Sequence, residues 1–191
     1  DHRRYAGRMT SPTETRIELI ELITGGDPGA QPVASILVLH GLGADGQDFV
    51  PIAQAMDFSA VGPVRFVFPS APVMPVTLNG GYEMRAWYDI HPPGPDGTRR
   101  EDEAGLRQSQ ALVQQLLDRE AQRGVPPGRT VLMGFSQGCA MTLLAGVRAP
   151  QRLAGLVALS GYLPLAGSTT AERSPANRDT PVFMAHGEQD E

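Results

Sequence analysis

The sequence predicts one α/β domain, a mostly parallel central sheet flanked by helices. Three observations carry that prediction. Short apolar runs alternate with longer helical patterns along the 191 residues. One run, Ala34 to Leu39, is almost continuously apolar, as suits a strand buried on both faces of a parallel sheet. No internal repeat interrupts the alternation.

Residues 16–23 (RIELIELI) alternate polar and apolar side chains, the pattern of a half-buried or edge strand. After the turn GGDPGAQP, the apolar run Ala34 to Leu39 predicts a buried strand that Gly41 and Gly43 end. Residues 47–56 carry a short helical pattern, and Val64 to Phe68 is a third strand closed by Pro69. Ser70 to Thr98, rich in Pro and Gly and containing Trp87, Tyr88 and His91, predicts a long surface excursion. Loops of that length are more often functional than filler. The longest helix pattern covers 101–123, with Leu106, Val113, Leu116 and Leu117 on one stripe. Glu101 and Asp102 suit its N-terminus and Gly124 its end. Thr130 to Gly134 predicts a strand and Cys139 to Arg148 a helix stopped before Pro150. Leu156 to Ser160 and Val182 to His186 are two further short strands.

Composition bounds the function. With 41% apolar and 19% charged residues the chain is too apolar for disorder. A net charge of -5 argues against nucleic acid or an anionic membrane as main partner. The basic residues are all arginines. The single cysteine, Cys139, excludes an internal disulfide and a cysteine-rich zinc site. No apolar run reaches the length of a membrane span and the first residues lack an apolar signal core, so a cytoplasmic location is expected. Residues 1–8 are expected to be disordered or a non-native extension, Met9 being the more natural start.

Gly134-Phe135-Ser136-Gln137-Gly138 lies between a strand and a helix pattern. That is the place of a nucleophile elbow, where a tight turn lifts a serine above the sheet and requires glycine two residues to either side. A tightly packed glycine turn would share the bare pattern. His40-Gly41-Leu42-Gly43 follows the strand at 34–39, and acyl transfer needs backbone N–H donors to hold the developing oxyanion. Leu42 and Gln137 are the candidate donors, and His40 is expected to orient the loop by hydrogen bonding. After the strand 182–186, Asp190 is the candidate acid, with Glu188 and Glu191 as local rivals. The histidines are His2, His40, His91 and His186, so none follows Asp190, and a serine without a base is a poor nucleophile.

Six segments in order, LVLHGLGADGQDFVPIA, FVFPSAP, NGGYEMRAWYDI, VLMGFSQGCAMTLLAG, GLVALSGYLP and PVFMAHGEQDE, resemble the phospholipase/carboxylesterase family of α/β-hydrolases. The resemblance implies the α/β-hydrolase fold, with Ser136 as nucleophile, Asp190 as acid and Leu42 and Gln137 as oxyanion-hole donors. It places Trp87 near the acyl site, where a large aromatic is equally suited to packing. It implies that Cys139 is a small residue starting a buried helix rather than a reactive thiol. Members continue past the HG-x-x-D motif through a helix, another strand, the catalytic histidine and a final helix, so the chain is expected to be C-terminally truncated. Such a loss would uncover the last edge of the sheet.

The expected function is hydrolysis of carboxylic esters or thioesters through an acyl-serine, on a small-molecule substrate, with no metal or organic cofactor. A second copy of the chain is carried as a candidate partner. The alternative is an inactive α/β-hydrolase domain acting as a binding module. A dienelactone-hydrolase-like enzyme is a third reading, which the serine at the elbow speaks against.

Overall fold

An apolar run can be buried only if its backbone N–H and C=O groups are paired, and neighbouring strands supply the pairing. The computed structural model describes residues 5–8, 17–27 and 29–190. Its strands are β1 (Tyr5–Arg8), β2 (Glu18–Thr24), β3 (Ala34–Leu39), β4 (Val64–Pro69), β5 (Val73–Val76), β6 (Tyr82–Arg85), β7 (Thr130–Phe135), β8 (Gly155–Leu159) and β9 (Val182–Ala185). The helices are α1 (Val50–Ala55), α2 (Glu103–Gln122), α3 (Gln137–Arg148) and α4 (Ala166–Glu172). Among the described residues, seven strands form one sheet in the order β1-β2-β4-β3-β7-β8-β9. β1, β2 and β4 pair antiparallel in succession, and every pairing from β4 across to β9 is parallel.

Alternation along the strands sorts the core into two layers. Leu37 and Leu39 of β3 and Val67 of β4 pack under α2 and α3, with Leu106, Val113 and Met141. Val38, Phe66 and Phe68 face the opposite side and pack with Val50 and Ala53 of α1. The predicted stripe of α2 is fully committed: Leu106, Val113, Leu116 and Leu117 are all buried. Each contributes roughly 1.5–3 kcal/mol by leaving water. Asp102 caps the helix, its carboxylate accepting the Gly105 N–H at 3.0 Å.

Four expectations change. Tyr5–Arg8, expected outside the fold because Met9 is the more natural start, pairs as a strand with Glu18–Glu21, so of the two readings open for β2, half-buried or edge, it is the half-buried one and lies inside the sheet; residues 1–4 lie outside the described residues. The stretch 70–98 contains a hairpin, β5 with β6, where the sequence predicts only loop. Pro75 hides it, because a two-stranded ribbon tolerates a proline that an inner strand would not. The serine-elbow helix starts at Gln137, two residues early, since the turn feeds straight into it. Helix α4 is missed altogether. Its AGSTTAE sequence has no apolar stripe, and side-chain ion pairs hold it in place.

Glu172 makes those pairs, with Arg107 at 2.6 Å and Arg148 at 2.7 Å. Hydrogen bonds from Arg107 and then Arg148 hold its carboxyl down to about 2, against an ordinary value of 4.5. A depressed folded pKa makes the contribution full above about pH 4.5 and lost as pH falls toward 2. The melting temperatures of the parent chain and Glu172→Gln should therefore converge on acidification across that window. A constant difference would refute the linkage.

At the end of the sheet where β3 and β4 begin, a second ionic group is buried outright. Glu120 of α2, 1% exposed, accepts from Ser35 Oγ at 2.5 Å, Arg65 at 2.8 Å and Arg123 at 2.9 Å. Arg123 and Arg119 also reach Glu21 of β2, each at 2.6 Å. The far edge is the opposite case. On β9, Val182, Phe183 and Met184 are 47%, 62% and 63% exposed, an uncharged apolar edge without cover among the described residues.

Candidate active site

The order of the strands fixes where a site can form. The chain passes from β3 to β4 on one side, then returns to place β7 on the other side of β3. Loops leaving the carboxyl ends of β3 and β7 diverge there, and open α/β sheets bind ligands in that crevice. A cavity of about 550 Å³ occupies it, within the usual size for a small-molecule site. Leu42 after β3, Ser136 and Gln137 after β7, and His186 and Asp190 after β9 all line this one cavity.

Ser136 has φ 54° and ψ -116°, a backbone conformation that an L-residue adopts only under constraint. The constraint is packing. A methyl group on Gly134 would run into the Gly138 carbonyl, and one on Gly138 into the Leu39 carbonyl. The turn closes onto β8 through the Ser136 N–H, which donates to Leu159 O at 2.9 Å. Gln137 is the first residue of α3, where helix geometry leaves an N–H without an intrahelical acceptor. The positive end of the helix dipole lies at the same point.

The candidate oxyanion loop, residues 40–43, is held by the histidine that opens it. His40 is fully buried, its Nδ1–H donating to Gly41 O at 2.7 Å and its Nε2 accepting from the Ala71 N–H at 2.9 Å. Both ring nitrogens are thus engaged. Burial lowers its pKa, so the ring stays neutral and serves as a spacer, as the sequence predicts. In the loop, Gly43 N–H goes to Arg85 O and Ala44 N–H to Gly41 O, while the Leu42 N–H takes no backbone partner among the described residues.

Trp87 belongs to this scaffold and does not line the cavity. Its ring lies 5.3 Å from that of His40, it is 2% exposed, and its Nε1–H donates to His40 O at 2.9 Å. Of the two readings open for Trp87, packing and a place at the acyl site, the geometry fits packing, since the buried indole gives its N–H to His40 O and stands off the cavity lining. The Gln137 side chain ties the same segment to α3: Oε1 accepts the Trp87 N–H and Nε2 donates to Tyr88 O, both at 2.8 Å. Cys139 is buried just beyond, and burial pushes its thiol up to about 11, which leaves it an unreactive packing group.

Asp190 sits in a turn closed by its N–H to Gly187 O at 3.1 Å. Its neighbour is His186, whose Nε2 is 3.0 Å from the Asp190 main-chain oxygen and 3.8 Å from the carboxylate. Glu188 is exposed and does not line the cavity, whereas Glu191 lies outside the described residues.

Residues 25–191 match the Phospholipase/Carboxylesterase family. The chain belongs to this family. The hydrolase is 38% identical over 163 residues to Acyl-protein thioesterase 1 of Yarrowia lipolytica, covering 85% of this chain and 71% of that protein. It is 41% identical over 170 residues to the Neurospora crassa protein of the same name, covering 84% and 68%. Among solved structures, Arabidopsis thaliana SOBER1 superposes with a TM-score of 0.74 at 34% identity, over 82% of this chain and 74% of that one. Zea mays acyl-protein thioesterase 2 gives 0.69 at 27% identity, over 88% and 75%. The hydrolase therefore has the α/β-hydrolase fold and acts on esters or thioesters as a serine hydrolase. No helix among its described residues is long and apolar enough to cross a membrane.

The cavity wall also contains residues that motif reading passes over, chiefly Tyr88, Arg99 and Tyr162. The signal for the tyrosines was present: each falls within a segment quoted for the family resemblance. Arg99 carries no such mark, lying in an irregular stretch between the hairpin and α2.

Proposed function

We propose that Ser136 attacks the carbonyl carbon of an ester or thioester while an imidazole oriented by Asp190 takes its proton. The Leu42 and Gln137 N–H groups then hold the oxyanion of the tetrahedral intermediate. Collapse breaks the bond to the alcohol or thiol, which leaves with the proton from the imidazole, and water hydrolyses the acyl-serine. The base follows the acid in the chain order of this fold. The observation carrying the proposal is the strained Ser136, standing at the start of α3 on the same cavity as Leu42. The names of the thioesterase relatives favour an S-acyl substrate among those the family takes. A cytoplasmic location is part of the same proposal, supported by a lone, buried, unpaired cysteine.

Fluorophosphonate labelling tests it, read by intact mass and peptide mapping, with circular dichroism to establish folding. The chain is extended for this to carry the histidine that follows the acid in this fold. A single adduct on Ser136 is expected there, and weaker labelling of residues 1–191 alone, which hold no histidine after Asp190. An extended, folded chain that stays unlabelled, or one labelled at another residue, would overturn Ser136 as the activated nucleophile.

A further inference from the structure

Two arginines at the cavity mouth have no part in the acyl transfer. Arg99 and Arg100 line the same cavity as Ser136 and both are exposed. Among the described residues, neither guanidinium forms an ion pair or donates a hydrogen bond to the protein. Arg65, Arg85, Arg107, Arg119, Arg123 and Arg148 hold carboxylates instead, and Arg129 and Arg152 donate to main-chain oxygens. Arg173 and Arg178 share the lack of a side-chain partner among the described residues, but they do not line the cavity.

Arg99 is nevertheless fixed. Its guanidinium lies 3.8 Å above the centre of the Tyr162 ring. The Tyr162 hydroxyl is 3.1 Å from that of Tyr88, which is buried. Burial, with Tyr162 beside it, raises the Tyr88 pKa far above its ordinary value, so Tyr88 stays a neutral phenol beneath the pair. Stacking occupies the face of a guanidinium and leaves its N–H edge available, in the fork geometry that matches a carboxylate, sulfonate or phosphate.

Three carboxylates on the same wall are engaged by the protein itself. Asp89 accepts from the Thr77 N–H and hydroxyl, at 2.7 and 2.5 Å. Asp102 accepts from the Asp89 and Gly105 N–H groups, and Glu101 from the Leu165 N–H at 3.0 Å. The fourth, Asp190, lies beside His186. The carboxylates are committed to holding loops, whereas the arginines face the cavity uncommitted.

We infer that Arg99 and Arg100 form an anion subsite, and that the favoured substrates are esters or thioesters carrying an oxyanion group apart from the scissile carbonyl. The word substrate rests on the acyl-serine reading above; the subsite itself rests on the cavity alone. The anion can belong to the acyl half or the leaving half of the molecule, and the test separates the two.

Amides retain the carbonyl and resist cleavage, so they report binding without turnover. Isothermal titration would compare N-butyryltaurine (anion on the leaving half), N-propylsuccinamate (anion on the acyl half), neutral N-butyrylethanolamine and its trimethylammonium counterpart. At least one anionic amide should bind about tenfold more tightly than the neutral one at low ionic strength, with the gap narrowing in salt. In a folded R99A/R100A variant that gap should disappear. The inference is overturned if neither anionic amide binds more tightly than the neutral one, or if the gap survives in the variant. Tightest binding by the cationic amide would give the mouth to the carboxylates and overturn it too. Inorganic sulfate binding as well as the amides would make this a free-anion site instead. Labelling of Ser136 without anion preference removes this inference alone, and anion-selective binding without labelling removes the catalytic reading alone.

Discussion

In a chain extended to the histidine that follows the acid, Ser136→Ala should abolish covalent capture by fluorophosphonate and lower turnover of a p-nitrophenyl ester by at least about 10⁴-fold, with the fold retained. The size follows from the role: without Oγ no acyl-enzyme forms, and the oxyanion donors can only assist direct attack by water. The backbone supplies a second, independent readout. At φ 54° and ψ -116° alanine carries the same strain as serine, so Ser136→Ala should leave stability nearly unchanged. Ser136→Gly should be equally inactive yet more stable by about 1 kcal/mol, the relief of strain outweighing the extra entropy of the unfolded chain. Urea unfolding of the three proteins measures this. An alanine variant that keeps its turnover, or a glycine variant less stable than alanine, would refute the elbow as described.

The largest loss of stability should come from Glu120→Ala, at the opposite end of the sheet. That change leaves the Arg65 guanidinium buried without its carboxylate and strands Ser35 Oγ. Breaking a buried pair from one side costs about 3–5 kcal/mol. In a chain of this size it should lower the melting temperature by on the order of 10 °C. Arg123 can turn to Glu21, so the deficit centres on Arg65. Removing both partners in an R65M/E120L variant should therefore recover most of the loss. A single variant destabilised by less than about 1 kcal/mol would show that water reaches the pair.

The parallel core strands were legible because burial on both faces writes itself as an apolar run, and β3 matches its predicted bounds residue for residue. The elbow was legible because the turn tolerates no Cβ at Gly134 or Gly138, a constraint that leaves glycine in the sequence. Helix α4 was not, since ion pairs from Arg107 and Arg148, more than twenty residues away, hold it rather than any local pattern. Trp87 shows the same limit within the site. Its neighbourhood in sequence leaves packing and substrate contact equally open, because an indole is steered by the partner its N–H finds, and here that is His40 O. Arg99 was invisible for a related reason. Its orientation depends on Tyr162, sixty-three positions away, and spacing along a chain does not report contacts of that kind.

Trp87 is the only tryptophan in the chain, and it is wedged under the loop that carries Leu42. Its fluorescence is therefore a native optical probe of that loop. In the folded chain the emission should sit at short wavelength, as for an indole shielded from water. Occupation of the crevice above should change its intensity or lifetime without any dye attached. Loosening of the loop would appear as a red shift, so a stopped-flow trace from this single ring could time the readiness of the proposed oxyanion hole directly.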